Sequence, residues 1–474
     1  MKSDVLPKFD VAILGVWYGL NYGSLLTYYA LQKQIKATGK SVVMVKYLPK
    51  NQPKSILEEQ DPDRHNNRFI QSCGYQIQSI SPDNVRSVNE LADTFIIGSD
   101  QVWNYHIAKL YDEFFYMSHI DADKRKIANA VSFGHSVDFA DEAERPRISN
   151  LMKRFNAISV REDSGTDILR DKYGVRGDWQ ADPLLTMDRD DLLALGSAST
   201  IGTDGPGYLL AYILDPSPEK IKGIVNLGEK LGSDIRVIAD GFDQQGDMSR
   251  FGDLSEKIQK NVGVEEFVAL FANASYVVTD SFHGTVMSIK LQKEFAVPTS
   301  ANMHRGFTRL DSLLRLTGLL GRHTFDPNVI ATKQRFLSPI DYDKVNKILD
   351  RTIQSSLTWL RTSLDIPVDM KVGLSPIMLS DAELTRILRH KPRWEFGLAG
   401  HDPYSTQMQF NEDGTITGVE SKNERFWEVS RGRLLIKNDR HQLSHLFVMT
   451  SLDFGKPVLQ GDTAFDHSLV HVIR

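Results

Sequence analysis

Short apolar strands alternate with helical stretches through most of this chain, and that alternation restricts its fold more than any other feature. Val11 to Val16 reads as a buried strand, Leu25 to Lys36 as a helix ending at Gly39, and Ser41 to Tyr47 as a second strand. Thr94 to Ile97, Ile127 to Phe133 and Ala157 to Val160 follow as short apolar strands with helix-like material between. Strands separated by helices imply a parallel sheet covered on both faces. The pattern pauses at Asp182-Pro183-Leu184-Leu185, and the small-residue run from Gly196 to Gly207 reads as a linker. It then resumes: strands at Tyr208 to Leu214, Ile235 to Ala239, Tyr276 to Thr279 and Glu294 to Val297, and helices at Ile221 to Leu231, Val264 to Ala274 and Thr285 to Leu291. An amphipathic helix from Asp341 to Leu364 is expected to close this second unit. Two such units in tandem set the C-terminal ends of their strands around a cleft, where open α/β sheets bind ligands.

The last hundred or so residues change character. Ser405 to Phe410, Thr415 to Val419, Trp427 to Val429, Leu434 to Lys437 and Leu446 to Thr450 are short alternating strands, with turns at Asp413-Gly414 and Arg431-Gly432. They predict a small antiparallel β module. Trp394, Phe396, Phe426, Trp427 and Phe454 are expected to fill its core, the other reading being a carbohydrate-stacking platform. His467 and His471 read as surface residues, and no set of residues with metal-ligand spacing is found.

At 474 residues the chain exceeds one ordinary domain. A net charge of -5 gives no basis for nucleic acid as a partner. The single cysteine, Cys73, excludes an intrachain disulfide framework and fits a reducing compartment. No cleavable-signal layout opens the chain and no apolar stretch reaches membrane-spanning length, so a cytoplasmic protein without a membrane span is expected.

Five groups carry candidate chemistry. Tyr276-Val277-Val278-Thr279-Asp280-Ser281-Phe282-His283-Gly284-Thr285-Val286 reads as a strand, a polar turn and a helix start. Asp280 and Ser281 are N-cap types, Gly284 permits close backbone approach, and free amides beside His283 suit a phosphate or carboxylate. Imidazole as a side-chain type can deliver a proton, so His283 is a proton donor, an anion ligand or merely a helix-end residue bonded to backbone. Gly15, Gly19 and Gly23 are spaced four apart, which is neither GxGxxG nor a phosphate-cradling loop; neither a nicotinamide cofactor nor ATP is supported. Asn21, Tyr22 and Gly23 in that loop offer contacts for a hydroxyl-rich ligand. Asp100, past the strand ending at Gly98, is a general base or a helix cap. Arg161 stands past the tip of another strand, where a guanidinium grips a carboxylate or phosphate or pairs with its acidic neighbours. Arg305 and Arg309 add cations on the second unit, so a cationic pocket for a small dianion or trianion is expected.

The order NYGSLLTYYALQKQIKATG, FIIGSDQVWN, ANAVSFG, FNAISVREDSG, ADPLLTM and VVTDSFHGTVMSI resembles the polysaccharide pyruvyl transferase family, from about residue 10 to about residue 320. The resemblance implies a fold similar to GT-B glycosyltransferases, an α/β protein with two Rossmann-like domains facing a cleft. Residues 1–195 would form the acceptor-side domain, 196–364 the donor-side domain with its closing helix, 365–390 a linker and 391–474 the β module. It implies transfer of the enolpyruvyl group of phosphoenolpyruvate to two hydroxyls of a sugar, as a ketal, with release of phosphate and no cofactor. The acceptor would be a sugar of a surface polysaccharide such as a capsule or exopolysaccharide, or a lipid-linked oligosaccharide precursor. Arg161 and His283 would sit around the donor, with Arg305 or Arg309 as a third cation. Ser281 and the amides of Gly284 and Thr285 would hold the departing phosphate, and Asn21, Tyr22 and Asp100 would face the acceptor. The competing readings are a glycosyltransferase using a nucleotide sugar and a non-catalytic glycan-binding protein.

Overall fold

The computed structural model describes residues 8–50, 64–121, 124–199, 201, 207–240, 248–300, 307–366, 381–398, 402–430, 433–453, 456–463 and 470–474. Arg305, Phe454, His467, the Arg431-Gly432 turn and much of the expected linkers fall outside the described residues. The chain forms two compact units, Met1–Gly174 with Asp178–Lys371, and Val175–Gly177 with Val372–Arg474.

The first unit holds two parallel sheets. Its first half contains β1 (Phe9–Leu14), β2 (Val42–Tyr47), β3 (Ile77–Ile80), β4 (Ala92–Gly98), β5 (Arg125–Val131), β6 (Ala157–Val160) and β7 (Asp178–Trp179), in the order β3-β2-β1-β4-β5-β6-β7. Its second half contains β8 (Leu209–Tyr212), β9 (Ile235–Ile238), β10 (Tyr276–Thr279), β11 (Glu294–Pro298) and β12 (His323–Thr324), in the order β12-β11-β10-β8-β9. All these pairings are parallel. Central strands such as Val11-Ala12-Ile13-Leu14 and Phe95-Ile96-Ile97 are wholly buried, as continuous apolar runs covered on both faces should be. β3, β7 and β12 went unread in the sequence because they are short edge strands of two to four residues, too brief to show a period.

The two halves of this unit are docked by specific contacts. Tyr22, in the Tyr22–Lys36 helix, stacks on Phe267 with ring centroids 4.6 Å apart and donates its hydroxyl to the Val262 carbonyl at 2.8 Å. Asp163 of the first half accepts from Ser312 at 2.6 Å and from Arg315 at 2.8 Å. The helix expected to close the second half runs over Tyr342–Asp365; its start is held on that half, where Tyr342 donates to the Lys293 carbonyl at 2.5 Å and Asn346 accepts from Gln292 at 3.3 Å, and its later turns cross onto the first half. Ser356 bonds to Gln180 at 2.9 Å and Trp359 to Asp178 at 2.7 Å, because the stripe bearing Ser356, Leu360 and Ser363 is buried there. The helix Arg189–Gly196 packs on the helix Val264–Asn273; a Cβ on Gly196 would lie 2.9 Å from Val268.

The second unit is the antiparallel β module, with strand order β15-β14-β13-β20-β19-β18-β17-β16. These strands are β13 (Trp394–Leu398), β14 (Pro403–Phe410), β15 (Ile416–Thr417), β16 (Phe426–Ser430), β17 (Arg433–Lys437), β18 (Leu443–Asp453), β19 (Lys456–Thr463) and β20 (Val470–Ile473). Trp394, Phe396 and Trp427 are core residues, whereas Phe426 is half-buried. Two expectations are corrected. Residues 381–390 are a helix rather than linker, since Leu384 and Leu388, four apart, put one face into the module core. His471 is buried, stacked on Phe396 at 5.4 Å, because its β20 pairs with β13 and β19 on both sides.

Replacing Trp394 by Ala should destabilise the module by about 3–5 kcal/mol, through lost burial and a residual cavity. Urea denaturation followed by circular dichroism should then resolve a transition at lower urea than in the wild type; coincident curves would contradict this packing.

Candidate active site

A cavity of about 480 Å³ lies between the two halves of the first unit. Its lining comes from loops after strand C-termini: Val16 and Asn21 beyond β1, Asp100 and Gln101 beyond β4, Leu214 and Asp215 beyond β8, and Asp280 to His283 beyond β10. This is where parallel strands expose their unpaired ends and helices present their N-termini.

His283 stands in the first turn of the helix Phe282–Lys290, and Ser281 is its N-cap. The Ser281 hydroxyl accepts from the Gly284 amide at 3.2 Å, and the Thr285 amide donates to the Ser281 carbonyl at 2.9 Å. Both amides expected to hold phosphate are therefore engaged within the helix. The amides of Phe282 and His283 precede the first helical bonds and have no hydrogen-bond partner among the described residues. Asp280 does not cap this helix; it accepts from the amides of Leu214 and Asp215 and from Lys220 Nζ at 2.8 Å. Gly284 serves packing, since a Cβ there would sit 2.3 Å from the Thr279 hydroxyl and 3.0 Å from the Tyr212 ring.

The His283 ring enters a cage built by the first half. Its Nε2 lies 3.2 Å from Thr27 Oγ1, 3.2 Å from Arg161 Nη1 and 3.8 Å from Asp182 Oδ2. A Cβ on Gly23 would fall 2.1 Å from Nδ1 and Cγ of the ring, so glycine is required there for the ring to dock. Nδ1 has no hydrogen-bond partner among the described residues.

Arg161 takes a different part from the one expected. Its side chain is wholly buried and does not line the cavity. Nη1 donates to Asp182 at 2.8 Å and Nη2 to Asp100 at 3.0 Å, while the guanidinium lies 4.4 Å above the Phe282 ring. Both prongs of the fork are thus committed within the protein. Asp182 also accepts from Thr27 at 3.0 Å, Ser99 at 2.6 Å and the Leu184 amide at 2.9 Å. Burial would raise the Asp182 carboxyl, but His283, Arg161 and Ser99 together hold it well below the usual carboxylate range. Burial likewise opposes ionisation of Asp100, yet Arg161, His283 and Arg309 hold it below its ordinary value. Asp100 is neither a poised base nor a cap. Its backbone is left-handed at φ 63°, its carboxylate is tied to Arg161, and the next helix is capped by Asn104. Glu162, beside Arg161, accepts from the Phe133 amide and the Ser132 hydroxyl, and burial raises its carboxyl.

Among the other expected residues, Asn21 lines the cavity, caps the Tyr22–Lys36 helix and reaches Asp240 across the cleft at 3.4 Å. Tyr22 is buried in the docking contact and offers nothing to a ligand. Ser281 and Arg309 line the cavity, whereas Thr285 is buried beneath it. The lining is not simply cationic: it carries Asp100, Asp215, Asp240 and Asp280 beside Lys220, Arg309, His135 and His283. Sequence reading missed Asp182, Thr27 and Ser99. Asp182 stands in the quoted ADPLLTM run, where an Asp before Pro is an N-cap signal and nothing more specific.

Replacing Arg161 by Met should cost about 3–5 kcal/mol of stability, because Asp100 and Asp182 are left buried without their counter-charge. The depressed carboxyls fix the sign of an acid effect. Their stabilisation is present above the unfolded value near 3.9 and is lost as pH falls through the lower folded values, at up to about 1.4 kcal/mol per pH unit for each group. Urea midpoints measured between pH 5 and 2.5 should fall less steeply for Asp182→Asn than for the wild type; equal slopes would refute the assignment.

Residues 21–297 match the family described as polysaccharide pyruvyl transferase. Among curated proteins, none matches the chain. Solved structures of similar architecture include the wall teichoic acid polymerase TagF, at 12% identity with 75% of this chain and 88% of that chain covered and a TM-score of 0.42. A UDP-GlcNAc 2-epimerase from Neisseria meningitidis is 9% identical, with 77% and 96% covered and a TM-score of 0.41. The S. aureus MnaA–UDP co-structure is 11% identical, with 75% and 97% covered and a TM-score of 0.43. Values this low leave substrate and reaction to be argued from the chain itself. With more than half of its length matched, motif order and family profile in agreement, and a cleft built from those motifs, the chain belongs to the polysaccharide pyruvyl transferase family of sugar-modifying transferases.

Proposed function

We propose that the protein transfers the enolpyruvyl group of phosphoenolpyruvate to two hydroxyls of one sugar residue in a surface polysaccharide or its lipid-linked precursor. The observation that carries this reading is the caged His283 ring beside two unengaged amides at a helix N-terminus. Helix amides and the positive end of the dipole suit the donor's phosphate or carboxylate, and Arg309 lines the same cavity. Donor and acceptor suffice for the reaction, and the cytoplasm supplies the donor.

His283 is the general acid. Arg161 can only donate a hydrogen bond, and the single Thr27 hydroxyl proton is directed to Asp182. In the imidazolium the Nε2–H therefore goes to Thr27 Oγ1 while Arg161 Nη1 is held by Asp182 rather than by the ring, and the other proton is carried on Nδ1. When the Nδ1 proton is transferred, the Nε2–H···Thr27···Asp182 chain remains intact and the ring is left neutral. That proton goes to the donor's methylene carbon, which becomes the methyl group. The first sugar hydroxyl adds to the resulting oxocarbenium-like centre and loses its proton; the second displaces phosphate and closes the ketal. Of the two hydroxyl protons, one restores the acid and one leaves with phosphate. Asn21, Asp240 and Asp100 line the side on which the acceptor is expected.

Incubation with phosphoenolpyruvate and candidate sugars should release phosphate and add a ketal-sized mass to the acceptor; reaction with nucleotide sugars alone would overturn the reading. His283→Ala should lower turnover by about 10²–10⁴-fold with folding retained. Thr27→Val should lower kcat by about tenfold, with little change in donor KM and a displaced alkaline limb of the pH–rate profile, the limb set by a group that must be protonated to act. An unshifted profile would remove Thr27 from the positioning of the acid.

A further inference from the structure

A second cavity, of about 640 Å³, lies within the first unit and away from the active-site cavity. It is walled by the Tyr22–Lys36 helix and the start of the Arg189–Gly196 helix, by the C-terminal end of Phe282–Lys290 and by the Tyr342–Asp365 helix. No residue of the catalytic cage lines it. Its volume falls in the range of small-molecule sites.

Lys290 is the unusual member of its lining. The residue is 8% exposed, yet its ammonium has no ion pair or hydrogen bond among the described residues. Asp188 and Asp350 influence it only at a distance, and burial lowers its basicity. Asp188 is already engaged as the N-cap of the Arg189–Gly196 helix, accepting from the Asp190 and Asp191 amides. Lys33 is satisfied by Asp191 at 2.6 Å. Arg189, also on the lining, is exposed and likewise has no pair among the described residues. Asp188 and Asp350 line the same cavity but form no ion pair with Lys290, so this largely buried side chain lacks a direct counter-charge, which is costly unless a ligand supplies one. Asn346 and Gln354 add amide donors and acceptors, and Leu349, Ile353 and Leu357 add an apolar wall.

We infer that this cavity binds a small metabolite bearing an oxyanion, phosphoryl or carboxyl, between Lys290 and Arg189. The polar amides meet the body of the ligand and the leucine face excludes water behind it. The inference does not depend on the reaction proposed for the cleft. The same nine-residue helix carries His283 at its start and Lys290 at its end, so the two cavities lie at opposite ends of one element.

The test is calorimetric titration of the full-length protein with pyrophosphate and, separately, with citrate. Wild type should bind at least one of them, and Lys290→Met, which keeps the apolar stem, should weaken that binding tenfold or more. His283→Ala should leave it unchanged. Arg189→Ala, at an exposed position that packing does not fix, should weaken it at least fivefold and serves should Lys290→Met fail to fold. Binding to neither anion, or binding insensitive to both Lys290→Met and Arg189→Ala, overturns the site. A signal that those two variants keep and His283→Ala abolishes assigns the anion to the cleft; it overturns the second site while leaving the proposed reaction standing.

Discussion

The buried guanidinium of Arg161 is the interaction on which the active-site region depends. It fills the space beyond β6 and joins Asp100, past β4, to Asp182, at the start of a helical turn. Desolvating a guanidinium and two carboxylates costs several kcal/mol per ion, so the gain lies in geometry rather than in net stability. That geometry is a cage into which the second half of the unit inserts the His283 ring. The cage and the ring come from different halves. Docking through Tyr22, Phe267 and Val262 is therefore part of assembling the site and not merely of holding the unit together.

Much of this was legible in the sequence because it follows from local rules. The long buried strands and the helices between them showed their periods, and the polar residues just past strand tips, Asp100, Arg161 and His283, were found by that position alone. Their partners were not. Nothing local to Asp182 says that its carboxylate will meet a guanidinium twenty-one residues earlier and a threonine 155 residues earlier. Arg161 was read as a ligand fork because adjacent acids seldom pair with it, which is correct; the acids that do pair come from other loops. The glycines misled for a related reason. Gly23 and Gly284 were read as making room for a ligand, and each makes room for protein: the His283 ring in one case and Thr279 in the other. A glycine in a sequence signals close approach without naming what approaches.

The charge of the cleft also differs from what its sequence suggested. A cationic pocket was expected because Arg161, Arg305 and Arg309 were read near its strand and helix ends, but Arg161 is consumed inside the protein and Lys220 is bound to Asp280. On the proposed reading the donor's charge then falls to the two unengaged amides of the His283 helix, with Arg309 on the same lining. Amides offer directed hydrogen bonds at no desolvation cost of a buried cation, and the helix dipole adds to them. The carboxylates suit the other substrate, since a sugar presents hydroxyl protons and each carboxylate offers acceptor lone pairs.

This division bears on which group accepts the acceptor's protons. A carboxylate that neighbouring cations hold below its ordinary value is a poor base, because what lowers its basicity also lowers its pull on a proton. Asp100 is such a group, fixed to Arg161 at 3.0 Å and strained at its backbone. On the proposed reading its charge instead favours the cationic centre that forms when the donor is protonated. The hydroxyl protons then have two destinations on the proposed reading, the neutral His283 ring after it has acted as acid and the departing phosphate. Both lie at the start of the Phe282–Lys290 helix, so proton donation, phosphate departure and proton recovery are gathered at one helix terminus, and the remainder of the cage serves to keep that terminus oriented.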